Sequence, residues 1–170
     1  SYEHLADFVR RVSAAGCGTF AIHARKAWLQ GLSPKENRDV PPLDYGTVHR
    51  LKADFPHLAI VLNGGMKSLD EALAHLAPGT PGGARPLDGA CPLDGVMIGR
   101  AAYDTPYMLA EVDRRMFGDS GAVPSRADAV RAYLPFAERM RAAGVPMGPI
   151  AKPLIALFHG QPGGRLWRRH

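Results

Sequence analysis

The sequence predicts an α/β fold: βα units forming part of a parallel sheet, followed by a small all-helical segment. Three observations carry that prediction. Helical and strand patterns alternate over residues 1–99, the order a parallel sheet requires. The strand candidates are short, continuous apolar runs without polar alternation, as in strands covered on both faces. Beyond Arg100, only helical spacing recurs.

The elements follow in order. Over residues 2–15, Leu5, Phe8, Val9 and Val12 make a helical stripe, and Gly16 stands where a helix C′ glycine belongs. Residues 19–23 read as a buried strand, followed by a long polar loop over 25–42. A second helix spans 45–55, with Val48, Leu51 and Phe55 on one face, and Pro56 ends it. Residues 58–62 form the second strand, closed by Asn63-Gly64-Gly65. Ser68 caps a third helix over 69–76, with Glu71 placed as in a capping box. Residues 95–98 form the third strand, closed by Gly99-Arg100. The Pro- and Gly-rich stretch at about 78–93 repeats Pro-Leu-Asp-Gly and reads as a surface insertion. A short helix at 106–117, a linker at 118–124, a helix at 126–143 along Val130, Leu134, Ala137 and Met140, a helix at 150–159 and a final basic turn complete the chain.

Composition narrows the function classes. The 170 residues are 46% hydrophobic and 22% charged, which excludes wholesale disorder. No apolar run approaches the roughly 20 residues of a membrane helix. Glu3, Asp7 and Arg10 in the first ten residues are unlike a secretory leader. The two cysteines, Cys17 and Cys91, are too few for a disulfide scaffold and fit a reducing, cytoplasmic setting. Three strands cannot close a barrel, and the chain opens without Met, so a piece of a larger domain is expected. Charge is split along the chain. Residues 1–118 balance 13 Lys/Arg against 13 Asp/Glu, whereas residues 126–170 carry eight Lys/Arg against two acids. A basic tail of net +6 points to a polyanion, with RNA or DNA leading, and on composition alone reads equally as a solubilising Arg-rich surface.

Ligands in parallel α/β folds bind at the carboxyl ends of strands. Here those ends carry His23, Asn63-Gly64-Gly65 and Gly99-Arg100. Glycines let backbone N–H groups approach an anion, a following helix N-terminus adds its dipole, and Arg100 adds a cationic fork. The pattern fits the phosphate cradle formed by the last two loops of a (β/α)8 barrel. His23 reads equally as a ligand contact, an acid/base or a core histidine. The other histidines lack metal-ligand spacing, and neither cysteine has a nucleophile motif around it. The loop at 26–38 mixes Trp28 and Leu32 with Lys26, Lys35 and Arg38, which suits phosphate contacts. Trp167, between Arg165 and Arg168, reads as an anchor for the terminal turn.

Four segments carry a resemblance: Phe20-Ala-Ile-His-Ala-Arg-Lys-Ala-Trp-Leu-Gln-Gly-Leu-Ser-Pro-Lys-Glu-Asn-Arg38, Ile60-Val-Leu-Asn-Gly-Gly65, Asp94-Gly-Val-Met-Ile-Gly-Arg-Ala-Ala-Tyr103 and Leu157-Phe-His-Gly-Gln-Pro-Gly-Gly-Arg-Leu-Trp-Arg-Arg-His170. Together they closely resemble the tRNA-dihydrouridine synthases, A subfamily. The resemblance implies strands six to eight of an FMN-binding TIM barrel over 1–118 and a helical tRNA-binding domain over 119–170. It implies FMN contacts by His23, Asn63, Gly64, Gly65, Gly99 and Arg100, and tRNA contacts by Lys35, Arg38, Arg165 and Arg168. The implied reaction reduces uridine to 5,6-dihydrouridine at positions 20/20a of tRNA. NADPH reduces FMN, the flavin delivers hydride to C6, and a cysteine protonates C5. The implied enzyme is cytoplasmic and monomeric at full length. Met66 and Lys152-Pro153 depart from the residue types the family shows there. The family's catalytic Asn-x-Gly-Cys-Pro loop and its FMN-binding lysine are absent from these residues, and Cys91 lacks that context, so the chain alone is expected to be inactive. Two other readings are a different FMN- or phosphate-binding barrel oxidoreductase acting on a small metabolite, and a non-catalytic RNA-binding remnant.

Overall fold

The computed structural model describes residues 1–28, 30–76 and 92–169, and the chain forms two compact units, Ser1–Gly99 and Arg100–His170. Most of the expected 78–93 insertion, with Cys91, lies outside the described residues.

In the first unit, α1 (Tyr2–Ala14) buries Ala6 and Val9. It ends where Gly16 takes φ +102° and Cys17 N–H donates to Val12 O at 3.4 Å, the left-handed closure that glycine favours. Strands β1 (Thr19–His23), β2 (Ala59–Asn63) and β3 (Gly95–Met97) form one parallel sheet in the order β1-β2-β3. The register pairs Ala21 with Val61 and Val61 in turn with Gly95, and His23 with Asn63 and Asn63 in turn with Met97. β2 starts one residue later than the apolar run suggests. Leu58 N–H is turned back to Phe55 O, and Ala59 N–H opens the ladder by donating to Gly18 O.

Between the strands, α2 (Tyr45–Asp54) is capped by the Asp44 side chain, which accepts from Thr47 N–H at 3.0 Å, and stops before Pro56. It packs on β2 and buries Val48 and Leu51 completely. Lys52, 9% exposed, donates to Pro56 O, Leu58 O and the Asp94 carboxylate, whose other oxygen accepts from Ile60 N–H at 2.7 Å. The ammonium is thus fully satisfied, and it ties the end of α2 to the starts of β2 and β3.

The third helix, α3 (Leu69–Leu73), is shorter than its apolar pattern suggests. His75 and Leu76 tighten onto Ala72 O and Leu73 O, and Leu76 then bridges to Leu93 in extended form. Ser68 caps it as anticipated, but the Glu71 carboxylate accepts from Lys67 N–H, one residue before the cap.

Burial alternates along the sheet although hydropathy does not. Phe20, Ile60 and Leu62 lie under the helices, whereas Ala21, His23 and Met97 are exposed and Val61, Asn63 and Gly95 half-buried. One face of the sheet is therefore covered and the other open. Parallel strands this apolar are ordinarily covered on both faces.

The second unit begins with α4 (Arg100–Asp104), a turn that the sequence pattern does not announce. The expected helix at 106–117 appears as a 3-10 stretch, Pro106–Glu111, running into α5 (Val112–Phe117). α6 (Arg126–Ala142) opens on a complete capping box between Ser125 and Asp128. Its inner face runs through Val130, Tyr133, Ala137 and Met140, while Leu134 is 48% exposed. The Tyr133 hydroxyl decides that rotation by donating to Ile150 O at 2.9 Å in α7 (Met147–Ile155). A final turn, α8 (Gly164–Trp167), follows Gly163 at φ +80°.

Candidate functional site

The carboxyl edge of the sheet collects the residues that the motifs single out. His23 ends β1 and is exposed, with Nδ1 3.2 Å from Asn63 O. A carbonyl only accepts, so Nδ1 carries the hydrogen, and Nε2 of the neutral ring is left as an acceptor. Asn63 ends the neighbouring strand. Gly64 and Gly65 then take φ +117° and +79°. A Cβ on Gly64 would lie 2.9 Å from His23 Nδ1, and one on Gly65 would lie 2.5 Å from Leu43 Cδ1 and 2.6 Å from Tyr45 Oη. Glycine is required twice here, by backbone conformation and by the side chains packed around it.

Tyr45, from the first turn of α2, fixes this loop by donating its hydroxyl to Gly64 O at 3.1 Å. Its ring meets His75 edge-on at 4.8 Å, and His75 Nδ1 is 3.0 Å from His49 Nε2. Burial holds His75 below the ordinary histidine value, the facing His49 lowers it further, and Glu71 opposes both. Burial, with Glu71 adding to it, raises the Tyr45 hydroxyl above its ordinary value, so it stays protonated and able to donate. No motif marks Tyr45 as more than the start of a helix.

The third strand ends at the same edge, where Gly99 is exposed and a Cβ would meet nothing within 4 Å. The structure thus brings His23, Asn63, Gly64, Gly65 and Gly99 to one edge of one sheet. Arg100 follows directly and opens the second unit. The helix dipole expected behind each glycine loop is weak, because α3 and α4 are only five residues long and few peptide dipoles align.

A cavity of about 460 Å³ opens beside β1, between the first turns of α1 and α2, with His23, Arg25, Lys26, Asp44 and Thr47 in its wall. The loop over 26–42 leaves this rim and returns to it. Arg25 holds the loop by donating to Asp39 O and Pro41 O, and it pairs with Leu43 in an antiparallel bridge. Inside the loop, Ser33 and Glu36 exchange hydrogen bonds around a 3-10 turn, Glu36–Arg38. Lys35 is exposed at the start of this turn.

In the second unit, the Trp167 indole donates to Leu154 O at 2.8 Å and its ring lies 4.5 Å from that of Phe158. A Cβ on Gly164 would fall 2.4 Å from Phe158 O. Trp167 is therefore the anchor of the tail, and it leaves Arg165 and Arg168 exposed. Among the described residues, no three His, Cys, Asp or Glu side chains could share a metal ion, and no helix is long and apolar enough to cross a membrane.

The family profile for dihydrouridine synthases matches residues 1–170, the whole chain. The chain belongs to the dihydrouridine synthase family. Curated relatives named tRNA-dihydrouridine(20/20a) synthase agree. The one from Vibrio parahaemolyticus is 50% identical over 171 residues, covering 100% of this chain and 48% of the relative. Those from Shewanella oneidensis and Escherichia coli K12 are each 50% identical, again over 100% of this chain and over 47% and 46% of the relatives. This dihydrouridine synthase chain spans about half the length of the curated relatives it matches.

Proposed function

We propose that this chain supplies the late strands of an FMN-binding (β/α)8 barrel and the tRNA-binding helices of an enzyme that reduces uridine to 5,6-dihydrouridine at positions 20/20a of tRNA, with NADPH as reductant. The single observation that carries the reading is the carboxyl edge of the sheet, where His23, Asn63 and the Gly64-Gly65 turn stand together in a chain matched end to end by the family. The open apolar face of the sheet supports it, since a closed barrel would turn that face inward.

The residues present fit a phosphorylated cofactor. Gly64, Gly65 and Gly99 bear no side chains at the strand ends, and the open space beside the Gly99 Cα leaves room for an anion. His23 and Asn63 present polar side chains beside that cradle. FMN, when bound, supplies the hydride for the uracil ring. Within this chain, Tyr45 holds the Gly64 peptide in place and Arg25 holds the rim loop. The proton for the base comes from outside these 170 residues, because no Asn-x-Gly-Cys-Pro loop occurs in them. Residues 119–170, with Arg165 and Arg168, act as the tRNA-binding segment, and Lys35 contacts tRNA from the loop; Arg38 is assigned the same role, its side chain lying outside the described residues. Their charge provides the salt-dependent, shape-reading grip that tRNA calls for. A tRNA substrate places the protein in the cytoplasm.

The test is a chimaera. Residues 1–170 replace the matching half of the Escherichia coli K12 relative, in cells lacking that relative. Mass spectrometry of the tRNA is expected to show dihydrouridine at 20/20a. A soluble, folded chimaera that leaves uridine there refutes the proposal.

A further inference from the structure

We propose that Trp28, in the loop that follows β1, is a stacking platform for an unpaired base of the RNA. This rests on the tRNA reading above. Trp28 lies five residues beyond His23 and remains 46% exposed. Its backbone is nevertheless fixed. Its N–H donates to Asn37 Oδ1 at 2.7 Å, and Asn37 Nδ2 donates back to Trp28 O at 2.9 Å. Asn37 belongs to the 3-10 turn that Ser33 and Glu36 close, and Arg25 secures the return of the loop through Asp39 O and Pro41 O. The loop therefore anchors the main chain of Trp28 and leaves much of its ring in solvent.

The surrounding charge suits a polyanion. Lys26 and Lys35 are exposed on either side of Trp28 in sequence, while Glu36, held below the usual carboxylate range by hydrogen bonds from Ser33, stays an anion tied to its own turn. An aromatic face among exposed cations is how proteins grip single-stranded nucleic acid: the cations take the phosphates and the ring takes a base. The loop leaves the carboxyl end of β1 and returns through the Arg25–Leu43 bridge, at the strand edge that carries the candidate site.

The experiment uses the 170-residue chain and an unmodified tRNA transcript, with binding measured at several salt concentrations. Trp28→Ala is expected to weaken binding about tenfold, as loss of one base–aromatic stack does. Trp28→Phe is expected to stay within about threefold of the parent, since a smaller ring still stacks. Neither variant should change the salt slope, because no phosphate contact is lost, whereas Lys35→Ala should lower that slope by about one. The inference is overturned if Trp28→Ala binds like the parent, if Trp28→Phe falls as far as Trp28→Ala, or if the salt slope drops in either. A lowered melting temperature in both Trp28 variants, or a change in their oligomeric state, would mark Trp28 as a protein-packing residue and overturn it equally. If the Trp28 variants bind normally while Lys35→Ala weakens binding, the tRNA reading stands without the stack. No binding by the parent chain overturns both.

Discussion

Gly65→Ala tests the local physics of the candidate site. At φ +79° an alanine pays the left-handed penalty of about 1–2 kcal/mol that glycine avoids. Its Cβ would also sit 2.5 Å from Leu43 Cδ1 and 2.6 Å from Tyr45 Oη. Leu43 is 36% exposed and can yield. Tyr45 cannot move without loosening its hydrogen bond to Gly64 O, a loss of about 0.5–1.5 kcal/mol. The expected destabilisation is therefore about 1.5–3.5 kcal/mol. Gly99→Ala is the control: its φ is not positive, a Cβ would meet nothing within 4 Å, and stability should stay within about 0.5 kcal/mol of the parent. Yet the new methyl enters the space assigned to the cofactor phosphate, so FMN affinity of the chimaera should fall in Gly99→Ala. Urea unfolding followed by circular dichroism gives the two stabilities. Tyr45→Phe removes the crowding oxygen, so combining it with Gly65→Ala should cost less than the sum of the single changes. A Gly65→Ala loss under about 0.5 kcal/mol, or one matched by Gly99→Ala, would refute the reasoning.

The buried histidine pair makes stability pH-dependent. Because His75 titrates below its ordinary 6.5 in the folded protein, the unfolded chain takes up protons first, so stability is complete above about pH 6.5 and falls as pH drops through that value. Asp44 and Asp128, whose values are lowered by hydrogen bonds, lose their contributions only near and below the ordinary carboxylate value of 3.8, so a urea midpoint flat from pH 8 to 5 counts against the histidine pair. Gly164→Ala presses a methyl onto the Phe158 carbonyl and should lower the stability of the second unit by about 1–3 kcal/mol, read as a fall in its melting temperature. Lys52→Met strands Leu58 O and an Asp94 oxygen and should cost about 2 kcal/mol in urea unfolding, with a neutral result showing that water replaces the ammonium. Arg168→Ala should reduce the salt slope of tRNA binding by about one, and an unchanged slope would make it a plain surface residue.

Much of this protein is legible in one dimension because the signals are local. Apolar runs, the helical stripe through Val9, Ser68 and Ser125 as caps, and Gly16 as a stop all act over a few residues, and the structure places α1, α2, α6 and the three strands close to their patterns. The strand-end residues are legible for a related reason: in parallel βα units, the carboxyl ends of the strands share one edge by topology. The family motifs carry further still, since the profile match covers the whole chain.

What the tertiary structure alone decided involves partners distant in sequence. Tyr45 reaches Gly64 O across 19 residues, Lys52 reaches Asp94 across 42, and His49 meets His75 across 26. Each pairs polar groups taken out of water, and such pairs leave no periodicity in the chain. The rotation of α6 that exposes Leu134 depends on one hydroxyl meeting one carbonyl in another helix, which hydrophobic spacing cannot specify. The sheet is the clearest case. Its strands are apolar on both faces, as the proposed closed barrel requires, and within a chain about half the length of its relatives only packing shows which face the helices cover.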